Sequence, residues 1–100
     1  PDALVPGLWA AGVDRAADGE LTVQGLRASA LAAEFGTPLL VVDEDDFRAR
    51  ARAFREGFDA ALADLCGGAD VYYAGKSMLT LSTARWAAEE GLRVDTASGG

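Results

Sequence analysis

The chain has 100 residues, 50% of them apolar and 25% charged, which is typical of one folded domain or of part of a larger one. Sixteen acidic residues against nine basic ones give a formal net charge of −7, which excludes a basic surface for nucleic acid or anionic lipid. Because there is no histidine and only one cysteine, Cys66, the chain cannot form an internal disulfide, a cysteine-based zinc site or a Ser-His-Asp triad. It contains no run of about 18 apolar residues and no signal-peptide pattern, so we expect a cytoplasmic protein.

The first third of the chain is weakly patterned. Leu21-Thr22-Val23 follows a turn signal at Asp18-Gly19 and predicts a short strand. Residues 26–35 have apolar side chains mostly at helical spacing, and Gly36 follows them where a helix-terminating glycine belongs. We therefore expect one strand and one short helix before Thr37-Pro38.

After residue 37 the pattern changes to strands alternating with helices. Two apolar runs of strand length, residues 39–42 and 71–74, predict buried strands, and residues 92–95 are a third strand candidate. Between them we expect a helix from the N-cap Asp43 to Gly67, with a Phe47/Phe54/Phe58 stripe in the core, and a second helix from the N-cap Ser77 to about Glu90. Strands and helices in this order predict a parallel α/β sheet. Since a (β/α)8 barrel needs about 250 residues, we expect the chain to be the N-terminal piece of a larger protein.

Lys76 stands out because the other eight basic residues are arginines. It follows the apolar run 71–74, and α/β folds place their chemistry at the carboxyl ends of their strands. An ε-amine can lose its proton and attack a carbonyl carbon to form a Schiff base, which a guanidinium cannot do. An ordinary solvated surface lysine is the alternative at this point.

Three stretches together resemble one enzyme family. They are residues 34–44 (EFGTPLLVVDE), residues 72–76 (YYAGK) and residues 91–100 (GLRVDTASGG), which occur in the order and spacing of that family. The sequence thus resembles the pyridoxal-phosphate decarboxylases of the alanine-racemase-like fold, and among them the bacterial diaminopimelate decarboxylase family. No one of the three stretches is specific alone, whereas their order and spacing are.

The resemblance implies a fold, a cofactor and a reaction. Residues 1–37 would be associated with a separate β-domain, and residues 38–100 would be the first βα units of a pyridoxal 5'-phosphate-binding (β/α)8 TIM barrel. Lys76 would be catalytic and would hold the cofactor through a Schiff base, with Asp95 and Ser98 as further cofactor-binding residues and no metal. The full-length protein would be a homodimer with active sites at the interface, converting meso-2,6-diaminopimelate to L-lysine. The 100 residues alone would be inactive.

Some features leave alternatives open. Ser77 departs from the alanine that usually follows the lysine in this family, and Cys66 does not match the family's catalytic cysteine, so we expect it to be a packing residue. Strand-end capping is the alternative role for Asp95, and a structural glycine-rich turn is the alternative for Ser98. The alternative functions are an ornithine- or arginine-type decarboxylase, an amino-acid racemase, or a non-catalytic homologue that binds a partner.

Overall fold

The computed structural model describes residues 3–5 and 7–99, which form two compact units that divide along the chain between Asp46 and Phe47. The structure is mixed α/β, as predicted. The boundary expected after residue 37, between a β-domain segment and a barrel, concerns the complete protein and stays a prediction. No helix in the described part of the chain is both long and apolar enough to cross a bilayer.

The first unit contains a small antiparallel sheet. Its strands are β1 (Val13–Arg15), β2 (Leu21–Val23) and β3 (Leu26–Arg27), in that order across the sheet. β2 and β3 are joined by Gln24 and Gly25, both with positive φ (50° and 77°), which matches the twist that a two-residue hairpin requires. The prediction of β2 is confirmed.

Helix α1 (Ala28–Phe35) is confirmed but starts later than expected. The predicted helix began at Leu26, whereas Leu26 and Arg27 pair with β2 instead. The helix ends at Gly36, whose N–H donates to the carbonyl of Ala32 and whose φ is 81°. A hydrogen-bonded partner strand therefore overrides the helical spacing at its first two positions.

The prediction of a buried strand over residues 39–42 is wrong for this structure. These residues belong to no strand, and their side chains are exposed, with Leu40 79% accessible. An apolar run indicates that a segment tends to be buried, but a strand also needs a neighbour to hydrogen-bond with. Among the described strands, none pairs with this segment.

Helix α2 (Glu44–Cys66) has the predicted boundaries. The Oδ1 of Asp43 accepts a hydrogen bond from the backbone N–H of Asp46 at 3.2 Å, so Asp43 is the N-cap as expected. Glu44, Asp45 and Asp46 place negative charge in the first turn, which the helix dipole favours. Gly67, with φ 81°, follows the last helical residue.

The second unit also holds a parallel strand pair connected by a helix. β4 (Tyr72–Ala74), α3 (Leu81–Glu89) and β5 (Arg93–Asp95) follow one another, and β4 pairs with β5 in parallel register. Helix α3 begins after Thr80 and not at Ser77 as expected. Thr80 and Thr83 exchange hydrogen bonds in a capping box, which satisfies two amide donors at once and outcompetes a single serine cap.

The core of this unit lies where the two helices cover one face of β4 and β5. Ala51, Ala87 and Leu92 are buried, and partly buried side chains surround them: Phe47, Val71, Tyr73 and Val94. Ion pairs add a link between the helices, because Arg48 and Arg52 both reach Glu90, at 3.2 and 2.8 Å. Helices α2 and α3 are thus joined by an apolar centre with charges at its side.

The predicted core stripe of α2 is only partly buried. Phe54 and Phe58 are 60% and 50% exposed, and their rings stack on each other with centroids 6.4 Å apart. The physical reason is length, since a helix of 23 residues extends about 34 Å whereas a three-residue strand covers about 10 Å. The helix extends beyond the two short strands that it packs on. Cys66, predicted to be a packing residue, is a free and exposed thiol because it lies at the far end of this helix.

Candidate active site

The parallel pairing of β4 with β5 brings two chemistry-bearing stretches of chain together. Tyr72 pairs with Arg93, and Ala74 pairs with Asp95. Both strands therefore end at the same edge of the pair. Lys76 lies two residues beyond the end of β4, and Asp95 is the last residue of β5. The structure thus places the turn that bears Lys76 next to the strand end that bears Asp95.

Gly75 makes this close approach possible. Its backbone N–H donates to the Asp95 carbonyl oxygen at 2.9 Å and extends the ladder beyond β4. A Cβ at position 75 would lie 2.7 Å from that oxygen and 3.1 Å from a side-chain methyl carbon of Leu79. Only glycine fits without displacing a neighbour, so the turn that carries Lys76 packs directly on the end of β5.

The two faces of β4 have different surroundings. Tyr73 and its partner Val94 pack against the helix-covered core, whereas Tyr72 and Ala74 are exposed on the opposite face. This is the alternation that a strand imposes on successive side chains. The face opposite the helices is uncovered in the described residues, and at its carboxyl edge Ala74 leaves room beside Asp95.

Lys76 itself is exposed. Within the described residues its ammonium group makes no hydrogen bond and no ion pair. Its backbone is held from both sides, because the Ser77 N–H donates to the Ala74 carbonyl at 3.2 Å and the Ser77 Oγ donates to the same oxygen at 2.9 Å. Lys76 therefore combines a hydrogen-bonded turn with a side chain that has no partner among the described residues.

A phenol hydroxyl takes part in holding this turn, and the sequence reasoning missed it. The Tyr73 hydroxyl donates to the Met78 carbonyl oxygen at 2.5 Å. Strand alternation puts the ring of Tyr73 on the helix-covered face, but its hydroxyl extends to the loop that follows. The one sequence feature that could have indicated this contact is a tyrosine three residues before the lysine.

Asp95 and Ser98 lie along the chain as it leaves the same edge. Both are exposed, and Ser98 follows the end of β5 by three residues in a bend. Gly100, the last residue of the glycine-rich stretch, lies outside the described residues. The structure brings Lys76 and Asp95 to one edge, and the roles of Lys76, Asp95 and Ser98 in cofactor binding stay predictions.

The opposite end of β5 carries a separate charge pair. Arg93 lies 3.0 Å from the Asp70 carboxylate, and the hydrogen bond that Arg93 donates to Asp70 raises the pKa of Arg93 above its ordinary value. This pair is exposed and stands at the amino end of the ladder, away from Asp95. Among the described residues there is no cluster of acidic and cysteine side chains that could hold a metal ion.

Comparison with known proteins gives one consistent result. The chain is 48% identical over 92 residues to a diaminopimelate decarboxylase of Corynebacterium efficiens, covering 91% of this chain and 18% of that protein. It is 46% identical over 98 residues to one of Actinosynnema pretiosum, covering 98% and 20%. It is 41% identical over 97 residues to one of Mycobacterium tuberculosis, covering 97% and 20%.

These relatives confirm the resemblance found in the sequence. Nearly the whole chain is similar to diaminopimelate decarboxylases, and it spans about a fifth of the length of the curated relatives that it matches. No protein-family model matches the chain.

Proposed function

We propose that the complete protein is a pyridoxal 5'-phosphate-dependent decarboxylase that converts meso-2,6-diaminopimelate to L-lysine, the last step of lysine biosynthesis, and that Lys76 holds the cofactor. The observation that carries the proposal is the shared edge of β4 and β5. There a lysine whose side chain has no partner among the described residues lies next to the strand end that bears an acid. The similarity to diaminopimelate decarboxylases over almost the whole chain supports the choice of reaction.

The residues at this edge fit the aldehyde cofactor. Covalent attachment needs a primary amine that solvent and cofactor can reach, and Lys76 is exposed. The small Ala74 side chain leaves space for a flat ring on the open face, and Gly75 allows the backbone to come close. An arginine at position 76 would carry the charge but could not form the bond.

Asp95 and Ser98 would complete the part of the site that these residues supply. A carboxylate at the strand end next to the Lys76 turn would stabilise positive charge on the amine or on its cofactor bond. The Ser98 hydroxyl, on the loop after β5, would donate a hydrogen bond to the cofactor. Both side chains are exposed and therefore accessible to a ligand.

The proposed reaction replaces a carboxylate by a proton on the same carbon and releases carbon dioxide. Pyridoxal phosphate, when bound, would supply an electron sink for the pair left by the broken carbon–carbon bond. These residues would bind the cofactor through the Lys76 amine and would keep that amine at the end of β4. Asp95 would keep negative charge at the adjacent strand end.

The complete protein would have an architecture that extends beyond these residues. We propose that β4 and β5 are neighbouring strands of a (β/α)8 barrel, with helices on the outside and the open face of the pair turned to the interior. We also propose a homodimer with its active sites at the interface, as the resemblance implies. The exposed free thiol of Cys66 is compatible with a reducing cytoplasm.

The test is a decarboxylation assay on the full-length protein with three substrates: meso-2,6-diaminopimelate, L-ornithine and L-arginine. We expect carbon dioxide release from the first alone. Lys76→Arg should lower the rate by about a thousandfold or more, since the charge remains but the bond cannot form. The control Arg85→Lys, an exposed exchange of the reverse kind, should keep the wild-type rate. Substantial turnover by Lys76→Arg would refute the role of Lys76, and turnover of another substrate alone would refute the proposed reaction.

A further inference from the structure

The Tyr73 side chain connects the turn that carries Lys76 to the core. Its ring is half-buried and meets Phe47 edge-to-face, with centroids 5.3 Å apart. Phe47 in turn lies 5.8 Å from the ring of Trp86 on α3. The ring of Tyr73 thus packs on Phe47 of α2, which in turn packs on Trp86 of α3.

The hydroxyl of Tyr73 leaves this aromatic cluster and contacts the turn. It donates to the Met78 carbonyl at 2.5 Å, two residues after Lys76. The Ser77 Oγ lies 3.4 Å from the same hydroxyl and donates at 2.9 Å to the Ala74 carbonyl, two residues before Lys76. Hydrogen bonds therefore hold the backbone on both sides of Lys76.

We propose that Tyr73, assisted by Ser77, is a positioning residue that holds the turn so that the Lys76 amine starts from one fixed backbone position. Lysine has a long flexible side chain, so a fixed backbone origin reduces the volume that its amine explores. The hydrogen bonds that hold the turn are formed within this chain and do not depend on the cofactor. Its consequence for the cofactor rests on the proposed function.

Tyr73 could instead serve only to fill space against Phe47. The two roles are separable, because Tyr73→Phe keeps the ring and its packing and removes only the hydroxyl. The neighbour Tyr72 supplies a matched control. Its ring is exposed, and its hydroxyl makes no hydrogen bond within the described residues, so Tyr72→Phe deletes the same atom without loss of a tether.

The first measurement is amide hydrogen exchange in the cofactor-free full-length protein. Loss of one tether should raise the exchange rate of the Ser77 amide about fivefold in Tyr73→Phe. The Gly75 amide, bonded to Asp95, and the Ala87 amide inside α3 should keep their wild-type rates. An unchanged Ser77 rate, an equal rise at Ala87, or the same rise in Tyr72→Phe would overturn the proposal.

Ser77→Ala is a second variant that tests the same hydrogen bonds if Tyr73→Phe fails to fold. It removes the side-chain bond to Ala74 and the contact with the Tyr73 hydroxyl, and should raise the amide exchange rate at position 77 about twofold. No change there would overturn the proposal.

The second measurement adds pyridoxal phosphate and follows the rate of its bond to Lys76 by visible absorbance and borohydride trapping. Tyr73→Phe should lower this rate about twofold or more without lowering the final yield, because the amine itself is intact. An unchanged rate would overturn the positioning role. Absence of any adduct in the wild type would instead refute the proposed function, and the exchange result would stand by itself.

Discussion

Gly75→Ala tests how closely the Lys76 turn packs on β5. The added Cβ would lie 2.7 Å from the Asp95 carbonyl oxygen, 0.7 Å nearer than the 3.4 Å at which ordinary van der Waals contact begins. Because the obstacle is backbone, relief requires the two strand ends to separate, which would lengthen the 2.9 Å hydrogen bond from the Gly75 N–H. Overpacking of this kind costs about 1–3 kcal/mol.

The assay is denaturant unfolding of the full-length protein, combined with the yield of the trapped Lys76 adduct. Gly75→Ala should lower the free energy of unfolding by the stated amount and reduce the yield. Gly57→Ala is the matched control, because a Cβ there meets nothing within 4 Å and alanine should stabilise the interior of α2 by about 0.5–1 kcal/mol. Equal stability changes in the two variants, or a wild-type yield in Gly75→Ala, would refute the close packing of the turn.

Three further predictions concern the helix caps and charges. Thr80→Ala removes the acceptor for the Thr83 N–H at 3.1 Å and should cost about 1 kcal/mol, measured as the free energy of unfolding; no loss would mean that the capping box is not formed. The hydrogen bond that Arg52 donates to Glu90 lowers the pKa of Glu90, and the one from Arg48 lowers it further. The stability that Glu90 contributes is therefore present above its ordinary pKa and is lost as the pH falls through the lowered value. The wild type should therefore lose more stability than Glu90→Gln between about pH 7 and pH 3, and parallel pH curves would contradict this. Asp95→Asn removes a charge from an exposed side chain and should change stability by less than about 0.5 kcal/mol while slowing adduct formation on Lys76; an unchanged rate would contradict the role proposed for Asp95.

The elements that the sequence predicts well are those with local signals. Helix α2 has an N-cap acid, a charged first turn and a terminal glycine pair, and all of them lie where the structure has its ends. β4 and β5 are short segments enclosed by turn residues, and the helix between them implies their parallel pairing. The juxtaposition of Lys76 with Asp95 follows from that topology, so it was available from the sequence as well.

The features that the sequence does not predict are those that depend on which neighbours a residue has. The run of residues 39–42 looks like a buried strand, yet no described strand pairs with it. Phe54 has the spacing of a core residue but lies 60% exposed. Thr80 and not Ser77 is the N-cap of α3 because Thr83 exchanges hydrogen bonds with Thr80. N-cap preferences of single residues do not include such a reciprocal pair.

The tether from Tyr73 to Met78 is a different kind of omission. Strand alternation assigns a whole side chain to one face, but a tyrosine is long enough for its ring and its hydroxyl to serve different neighbours. Contacts between a side chain and a loop carbonyl leave no periodic pattern in a sequence. They become visible only when the turn geometry is known.

The most direct test of the role proposed for Lys76 is to load the full-length protein with pyridoxal phosphate, reduce it with borohydride and map the modified peptide by mass. We predict a pyridoxyl group on the Nζ of Lys76, which is the only lysine among these 100 residues. A modification at a lysine elsewhere in the complete protein, or none in a folded protein, would contradict it.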